Sequence, residues 1–174
     1  MVWSLRHINR RVVIGCNVTV QLDSVRTIGF KAAGSLGSCA LKMAESMEVS
    51  GVVCVYGMTG MPFMHWAYGE GARPMHVEIA KAKARTVLNV RRSTSKQRER
   101  MEQGGQSQDH FAGQVLTTLG GGVAVFADEE CREFVGAMAF SGGTQEQDEY
   151  VCAQAIAHLG LFTDVEIPQT PPLA

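Results

Sequence analysis

Val135-Gly-Ala-Met-Ala-Phe-Ser-Gly-Gly-Thr-Gln-Glu-Gln-Asp-Glu149 decides the fold. Its first half is apolar, kept small at Gly136, Ala137 and Ala139, and reads as a buried strand. Ser141-Gly142-Gly143 is a tight turn, and Thr144 with Gln147 three residues later is a capping box. The helix that follows runs from Gln145 to about Leu159, with Val151, Ala155, Ile156 and Leu159 on its buried side. A glycine bend feeding a helix start leaves the backbone N–H groups of 144–147 pointing at whatever lies above the turn. Glu146, Asp148 and Glu149 complement the positive end of that helix. They are either plain helix-start acids, or one of them turns inward as a general acid/base or to hold a polar ligand. Glu146 and Glu149 also form an E-x-x-E pair of the kind that can bind a hard cation; such pairs are common by chance, and no metal site is expected.

Working upstream, Gly120-Gly121-Gly122 opens a strand over Val123 to Ala127, and a turn at 128–132 returns the chain as a strand from Glu133 to Phe140. A second hairpin joins Gly51–Tyr56 to Pro62–Tyr68 through Gly57-Met-Thr-Gly60. In its second strand Phe63, His65 and Ala67 share one face, and Met64, Trp66 and Tyr68 the other. Residues 11–20 alternate and are β-branched, which predicts an N-terminal strand. Asp23-Ser24 offers a cap for a helix carrying Ile28, Ala32, Leu36, Ala40, Met43 and Met47. Gly29, Gly34 and Gly37 within it imply close packing on a sheet or a second subunit. Pro74 suits the first turn of another helix, whose stripe is Val77, Ala80, Ala84, Val87 and Leu88 with Lys81, Lys83 and Arg85 beside it. Residues 91–109 read as a polar loop or frayed helix end, 110–118 as a short helix, and 167–174 as an extended, proline-rich tail.

Short hairpin turns demand antiparallel pairing, and helices between them must cover the sheet. The expectation is an α+β domain of about five antiparallel strands, a single unit over 1–174 with an N-terminal arm (1–20) and a C-terminal tail (164–174). Composition agrees: 45% hydrophobic and 19% charged residues exclude a disordered chain. Sixteen Lys and Arg against 17 Asp and Glu argue against a nucleic-acid binder. The basic stretch Arg91, Arg92, Lys96, Arg98 and Arg100 lacks the aromatics that stacking on single strands requires; it reads as a solvated face, or as a contact for an anionic ligand or another subunit. Five cysteines without a C-x-x-C pair disfavour zinc, thioredoxin chemistry and a disulfide framework; Cys131 is the candidate for a reactive thiol. No apolar run is long enough for a bilayer, and the arginines before Val12 are not followed by a signal-like segment, so the cytoplasm is expected and no membrane partner. Phosphate-cradling glycine loops, H-E-x-x-H and G-x-S-x-G are all missing.

Gly121-Gly122-Val123, Val135-Gly136-Ala137, Ser141-Gly142-Gly143-Thr144 and Gln147-Asp148, with Lys83-Ala84-Arg85-Thr86-Val87 further back, resemble the GlcG/HbpS family, also described as the haem-degrading domain or PduO C-terminal-like family. The resemblance covers roughly residues 20–160 and is strongest in the last third. It implies a profilin-like three-layer α/β/α arrangement around a five-stranded antiparallel sheet. It also implies a homo-oligomer with ligand pockets partly at subunit interfaces, and binding of haem, a corrinoid or a small metabolite. The chain departs from the family pattern at the first hairpin: Gly57 stands where the family has Asp, Tyr68 where it has Arg, and Glu70 where it has a second Asp. Losing an acid and a base while gaining a tyrosine suggests a more aromatic ligand.

Two functions follow. One is a small-molecule-binding protein, for haem or another planar ligand, with Tyr56, Trp66, Tyr68, Gly121, Gly122, Gly143, Thr144 and Asp148 as ligand contacts. The other is an enzyme of a specialised pathway doing isomerisation, cyclisation or dehydration. In that reading His65 or His76 moves a proton, Glu70 or Glu146 pairs with it, and Lys83 stabilises a developing oxyanion. Met58, Met61, Met64 and Met75 surround the same hairpin as core or interface filler, or as a soft wall for a flat ligand.

Overall fold

A computed structural model describes the backbone of residues 12–14, 18–20, 25–107 and 116–173, and side chains of 25–63, 66–107 and 116–173. In chain order the elements are β1 (Val12–Ile14), β2 (Val18–Val20), α1 (Phe30–Ser46), β3 (Gly51–Gly57), β4 (Pro62–Tyr68), α2 (Pro74–Val90), α3 (Thr94–Gln103), β5 (Gly122–Phe126), β6 (Phe134–Ser141) and α4 (Gln145–His158). The main sheet is antiparallel in the order β4-β3-β6-β5. A fifth lateral position beyond β5 is taken by a single bridge, in which Phe162 exchanges both backbone hydrogen bonds with Phe126 at 2.9 and 3.1 Å. This is the α+β layered fold that the strand and helix order predicts.

Side-chain alternation along the strands divides the core in two. Val53 and Val55 of β3, Val123 and Val125 of β5, and Met138 and Phe140 of β6 pack against Leu36 and Ala40 of α1 and Val151 and Ile156 of α4. Val52, Cys54, Ala124, Ala137 and Ala139 face the other way, against Ala80, Ala84 and Val87 of α2. Small residues on both sides of this second interface let α2 lie close to the sheet. Proline opens α2 as expected, and α4 begins with the predicted capping box. Thr144 Oγ1 accepts from Gln147 N at 3.2 Å, and Thr144 N donates to Gln147 Oε1 at 3.0 Å.

Several sequence expectations change. Residues 11–20 do not form one strand; β1 and β2 pair with each other in a separate two-stranded sheet. Asp23-Ser24 lies outside the described residues, and α1 starts at Phe30 because Ile28 is extended, its N–H bonded to Val135 O at 2.9 Å. Ala32 is consequently exposed, and Ala33, Leu36, Gly37, Ala40 and Ala44 form the buried stripe. Gly37 has the expected close neighbour: a Cβ there would lie 3.0 Å from the Trp66 ring, whereas Gly29 has open space around it. Leu159 follows α4 and is 39% exposed. Part of 110–118 falls outside the described residues, and 116–118 are not helical.

The supposed loop after residue 91 contains the ten-residue helix α3. Of its buried residues Thr94 and Gln97 are polar, and Met101 is not. Thr94 Oγ1 donates to Gly122 O at 3.2 Å and accepts from Gly122 N at 3.1 Å, while Ser93 Oγ accepts from Ala124 N at 2.9 Å. Ser93 is held in turn by Asp164. With the Phe162 bridge, three alternate residues of the edge strand β5 thus have their outward backbone groups engaged. Among the described residues no helix is long and apolar enough to cross a membrane.

Candidate functional site

Where β6 ends and β5 begins, the sheet gives way to a cleft of about 180 Å³. Helix α2 contributes Met75, His76, Ile79 and Lys83, which recur at helical spacing on one face. The bend contributes Ser141, Gly142 and Gly143, and α4 contributes Gln145 and Asp148. Leu119 completes the wall. Met75 and Leu119 are exposed.

Lys83 and Asp148 come from helices on opposite faces of the sheet and meet at its end. Their Nζ–Oδ2 distance is 2.6 Å, and the side chains are 3% and 4% exposed. Lys83 Nζ also donates to Phe140 O at 2.9 Å, and Asp148 Oδ1 accepts from Gly143 N at 2.9 Å. Burial pushes the Asp148 carboxyl above its usual range, with the Lys83 charge and the Gly143 and Gly142 N–H groups pulling it back. Gly121 makes the meeting possible. Its φ is +99°, and a Cβ there would sit 2.4 Å from Asp148 Cβ and 2.9 Å from Lys83 Nζ.

Among the described residues the ammonium has two hydrogen-bond partners for its three N–H groups, and Lys83 lines the cleft. His76 lies on the same wall, and its Nδ1 accepts from Arg73 N at 3.3 Å in the cap of α2. An accepting Nδ1 places the ring proton on Nε2. Both groups accordingly offer donors, so the cleft suits an oxygen-bearing ligand.

Of the residues expected at the site, the cleft gathers His76, Lys83, Gly143 and Asp148. Gly121 and Gly122 lie beneath it, packed against Lys83, Asp148 and Thr94. Thr144 is an exposed cap residue. Glu146 belongs to a neighbouring cavity. Glu70 is exposed in the turn after β4. The expected aromatic wall is not assembled. Trp66 and Tyr68 pack on the α1 side of the sheet, whereas Tyr56 is buried on the α2 side, where burial pushes its phenol up to about 12. His65 pairs in register with Cys54, and its side chain is outside those described, as is that of Met64. Of the four methionines read as filler or as a soft ligand wall, Met75 does line the cleft. Sequence reasoning missed Ile79, Leu119 and Gln145; the signal for Ile79 was present, since it lies at i−4 from Lys83.

Two further expectations find their place here. Cys131 is half-buried, its Sγ 3.4 Å from Thr163 O, and burial with Asp164 and Asp128 raises its pKa; this is the opposite of an activated thiol. The basic stretch is largely occupied internally: Arg92 bonds Gln97, Lys96 bonds Glu99, and Arg98 donates to Gln145 Oε1 at 2.5 Å.

Comparisons with known proteins agree with this architecture. Over 163 residues the chain is 24% identical to the corrinoid adenosyltransferase PduO of Salmonella typhimurium, covering 91% of this chain and 47% of that protein. The Citrobacter freundii PduO matches similarly, at 23% identity. The chain thus spans about half the length of these curated relatives. Among solved structures, a PduOC:heme complex superposes with a TM-score of 0.68 at 26% identity, covering 79% of this chain and 98% of that one. The Klebsiella pneumoniae protein ORFY gives 0.71 at 24% identity, over 86% of this chain and 100% of its own. A double mutant of HbpS from Streptomyces reticuli gives 0.70 at 23% identity, over 86% and 95%. Residues 28–157 match the family described as haem degrading protein, HbpS-like. The match takes in three quarters of the sequence, the whole main sheet, α1 to α3 and nearly all of α4, and the chain belongs to this HbpS-like family.

Proposed function

We propose that this chain binds a small molecule through an oxygen-bearing edge, in the cleft between His76 and the Lys83–Asp148 pair. The observation that carries the reading is the Lys83 ammonium, buried in the cleft lining and held by two acceptors among the described residues, so that a third donor is available to a ligand. Both Asp148 oxygens already accept hydrogen bonds, so Asp148 fixes Lys83 rather than meeting the ligand. That favours binding over proton transfer at this carboxylate.

A cleft of about 180 Å³ is smaller than the ~300–1,000 Å³ of ordinary ligand sites. A planar ligand such as haem therefore projects past Met75 and Leu119, and a second copy of the chain completes the pocket. The donor set fits the carboxylates of haem but not its iron. With Nδ1 committed to the α2 cap, Nε2 of His76 carries the proton and has no lone pair for a metal. What supports haem as the ligand is the related PduOC:heme complex together with this carboxylate-seeking edge.

The test is a titration with haemin, read at the Soret band. Wild type gives a saturable shift near one equivalent per chain. Met75→Glu, at the exposed rim, weakens it at least tenfold by setting a carboxylate against those of the ligand, without touching the core. His76→Ala weakens binding but leaves the band position unchanged. A titration without saturation, or Met75→Glu binding as wild type does, overturns the assignment.

A further inference from the structure

Gln145 and Lys83 both line the cleft, but the two partners of the Gln145 carboxamide oxygen lie outside its lining. Arg98 Nη1 of α3 donates to Oε1 at 2.5 Å, and Gly120 N donates to the same oxygen at 2.7 Å. A guanidinium and a backbone N–H only donate, so the end of the amide that meets them must be the oxygen. Exchanging the two ends would set N–H against N–H twice. The nitrogen is the end left over, and among the described residues its two N–H groups have no hydrogen-bond partner.

The surroundings are shaped to hold the amide this way. Gly120 leaves room for it: a Cβ there would lie 3.0 Å from Gln145 Cβ and 3.5 Å from Oε1. Arg92 and Lys96 bond residues within five positions of themselves, whereas Arg98 reaches across 47 residues to α4. A positive charge on the oxygen side also polarises the carboxamide and strengthens its N–H donors. Lys83 Nζ, His76 Nε2 and Gln145 Nε2 thus offer donors around the cleft, while both Asp148 oxygens already accept. The matching ligand edge has two acceptor oxygens, no proton of its own and a negative charge. A carboxylate has all three; an ester lacks the charge, and an amide or alcohol brings a donor that meets donors.

We infer, on the reading that this cleft is the binding site, that Gln145 selects a carboxylate over its neutral counterparts, with Gln145 Nε2 and the Lys83 ammonium as donors to its oxygens. Arg98 is the positioning residue: it never meets the ligand, but it keeps the amide oxygen turned out of the cleft and the nitrogen available.

Titration of the full chain with haemin and with haemin dimethyl ester, both read at the Soret band, separates the ligand's edge from its ring. Wild type binds the free acid about tenfold more tightly than the ester. Gln145→Glu keeps an oxygen for Arg98 and Gly120 but sets a carboxylate against that of the ligand, so haemin binding falls about tenfold and the preference for the free acid disappears. Gln145→Met, which adds no charge, lowers the preference about threefold, and ester binding serves in each variant as the measure of an intact fold. Arg98→Met lets the amide turn and lowers the preference by a similar factor; Arg98→Lys, which retains a donor, restores most of it. A wild-type titration without saturation overturns the cleft as the binding site and this assignment with it. Saturable binding without preference for the free acid, or a preference left intact by Gln145→Glu and Gln145→Met, overturns the role of Gln145 alone.

Discussion

Asp148 and Glu149 are consecutive residues where the first turn of α4 passes into the second, buried to different degrees, and they open onto different cavities. Burial pushes both carboxyls up. Asp148 is met by an ammonium at 2.6 Å and a backbone N–H at 2.9 Å. Glu149 has the Ser95 hydroxyl beside it, and among the described residues its Oε2 meets no donor in good hydrogen-bonding geometry. One acid is therefore part of the framework, and the next is held less firmly. The difference teaches that a buried carboxylate is defined by what its oxygens meet, not by burial or by a displaced pKa.

The contrast can be broken from the Asp148 side most forcefully. Lys83→Met leaves Asp148 buried without its cation and lowers stability by about 3–5 kcal/mol near neutral pH. For a chain of this length that is roughly 10 °C in Tm. The sign of the pH dependence is fixed by the raised carboxyl. A group whose folded pKa exceeds its unfolded one is more stabilising when protonated, so the variant's deficit shrinks as pH falls through the Asp148 pKa. Urea unfolding at pH 7 and pH 5 measures both effects. A deficit that grows on acidification contradicts the pairing.

Gly121→Ala attacks the same pair through the backbone. At φ +99°, with a Cβ 2.4 Å from that of Asp148, it costs roughly 2–4 kcal/mol by strain and overpacking, read as a lower urea midpoint. Thr144→Ala removes the cap that orients both acids and costs about 1 kcal/mol by the same measurement. Glu149→Gln has the smallest effect and the opposite sign. At pH 7 the variant is equal to or slightly more stable than wild type, because a carboxylate whose folded pKa is raised loses stability as pH rises through it. The advantage disappears as pH falls below that pKa. A loss of more than about 1 kcal/mol on this substitution would show that Glu149 has an internal partner after all.

The bend at 141–144 was legible in the sequence because it rests on local chemistry: glycines for the turn, and a hydroxyl and an amide three residues apart for the cap. Both hairpins and Pro74 at the start of α2 were readable for the same reason. What stayed hidden depends on partners distant in the chain. Lys83 and Asp148 are separated by 65 residues, and each was singled out alone with no period to connect them. Helix α3 escaped notice because it docks by Ser93 and Thr94 hydroxyls onto β5, and hydrophobic periodicity does not register hydroxyls. Alternation correctly put Trp66 and Tyr68 on one side of β4, but it does not say which helix waits there. Gly37 of α1 was the answer, so Trp66 and Tyr68 fell on the far side of the sheet from His76.

The hydroxyl and bridge contacts along β5 seal that margin of the sheet against strand addition. A foreign strand approaching Gly122, Ala124 or Phe126 must first evict Thr94, Ser93 or Phe162.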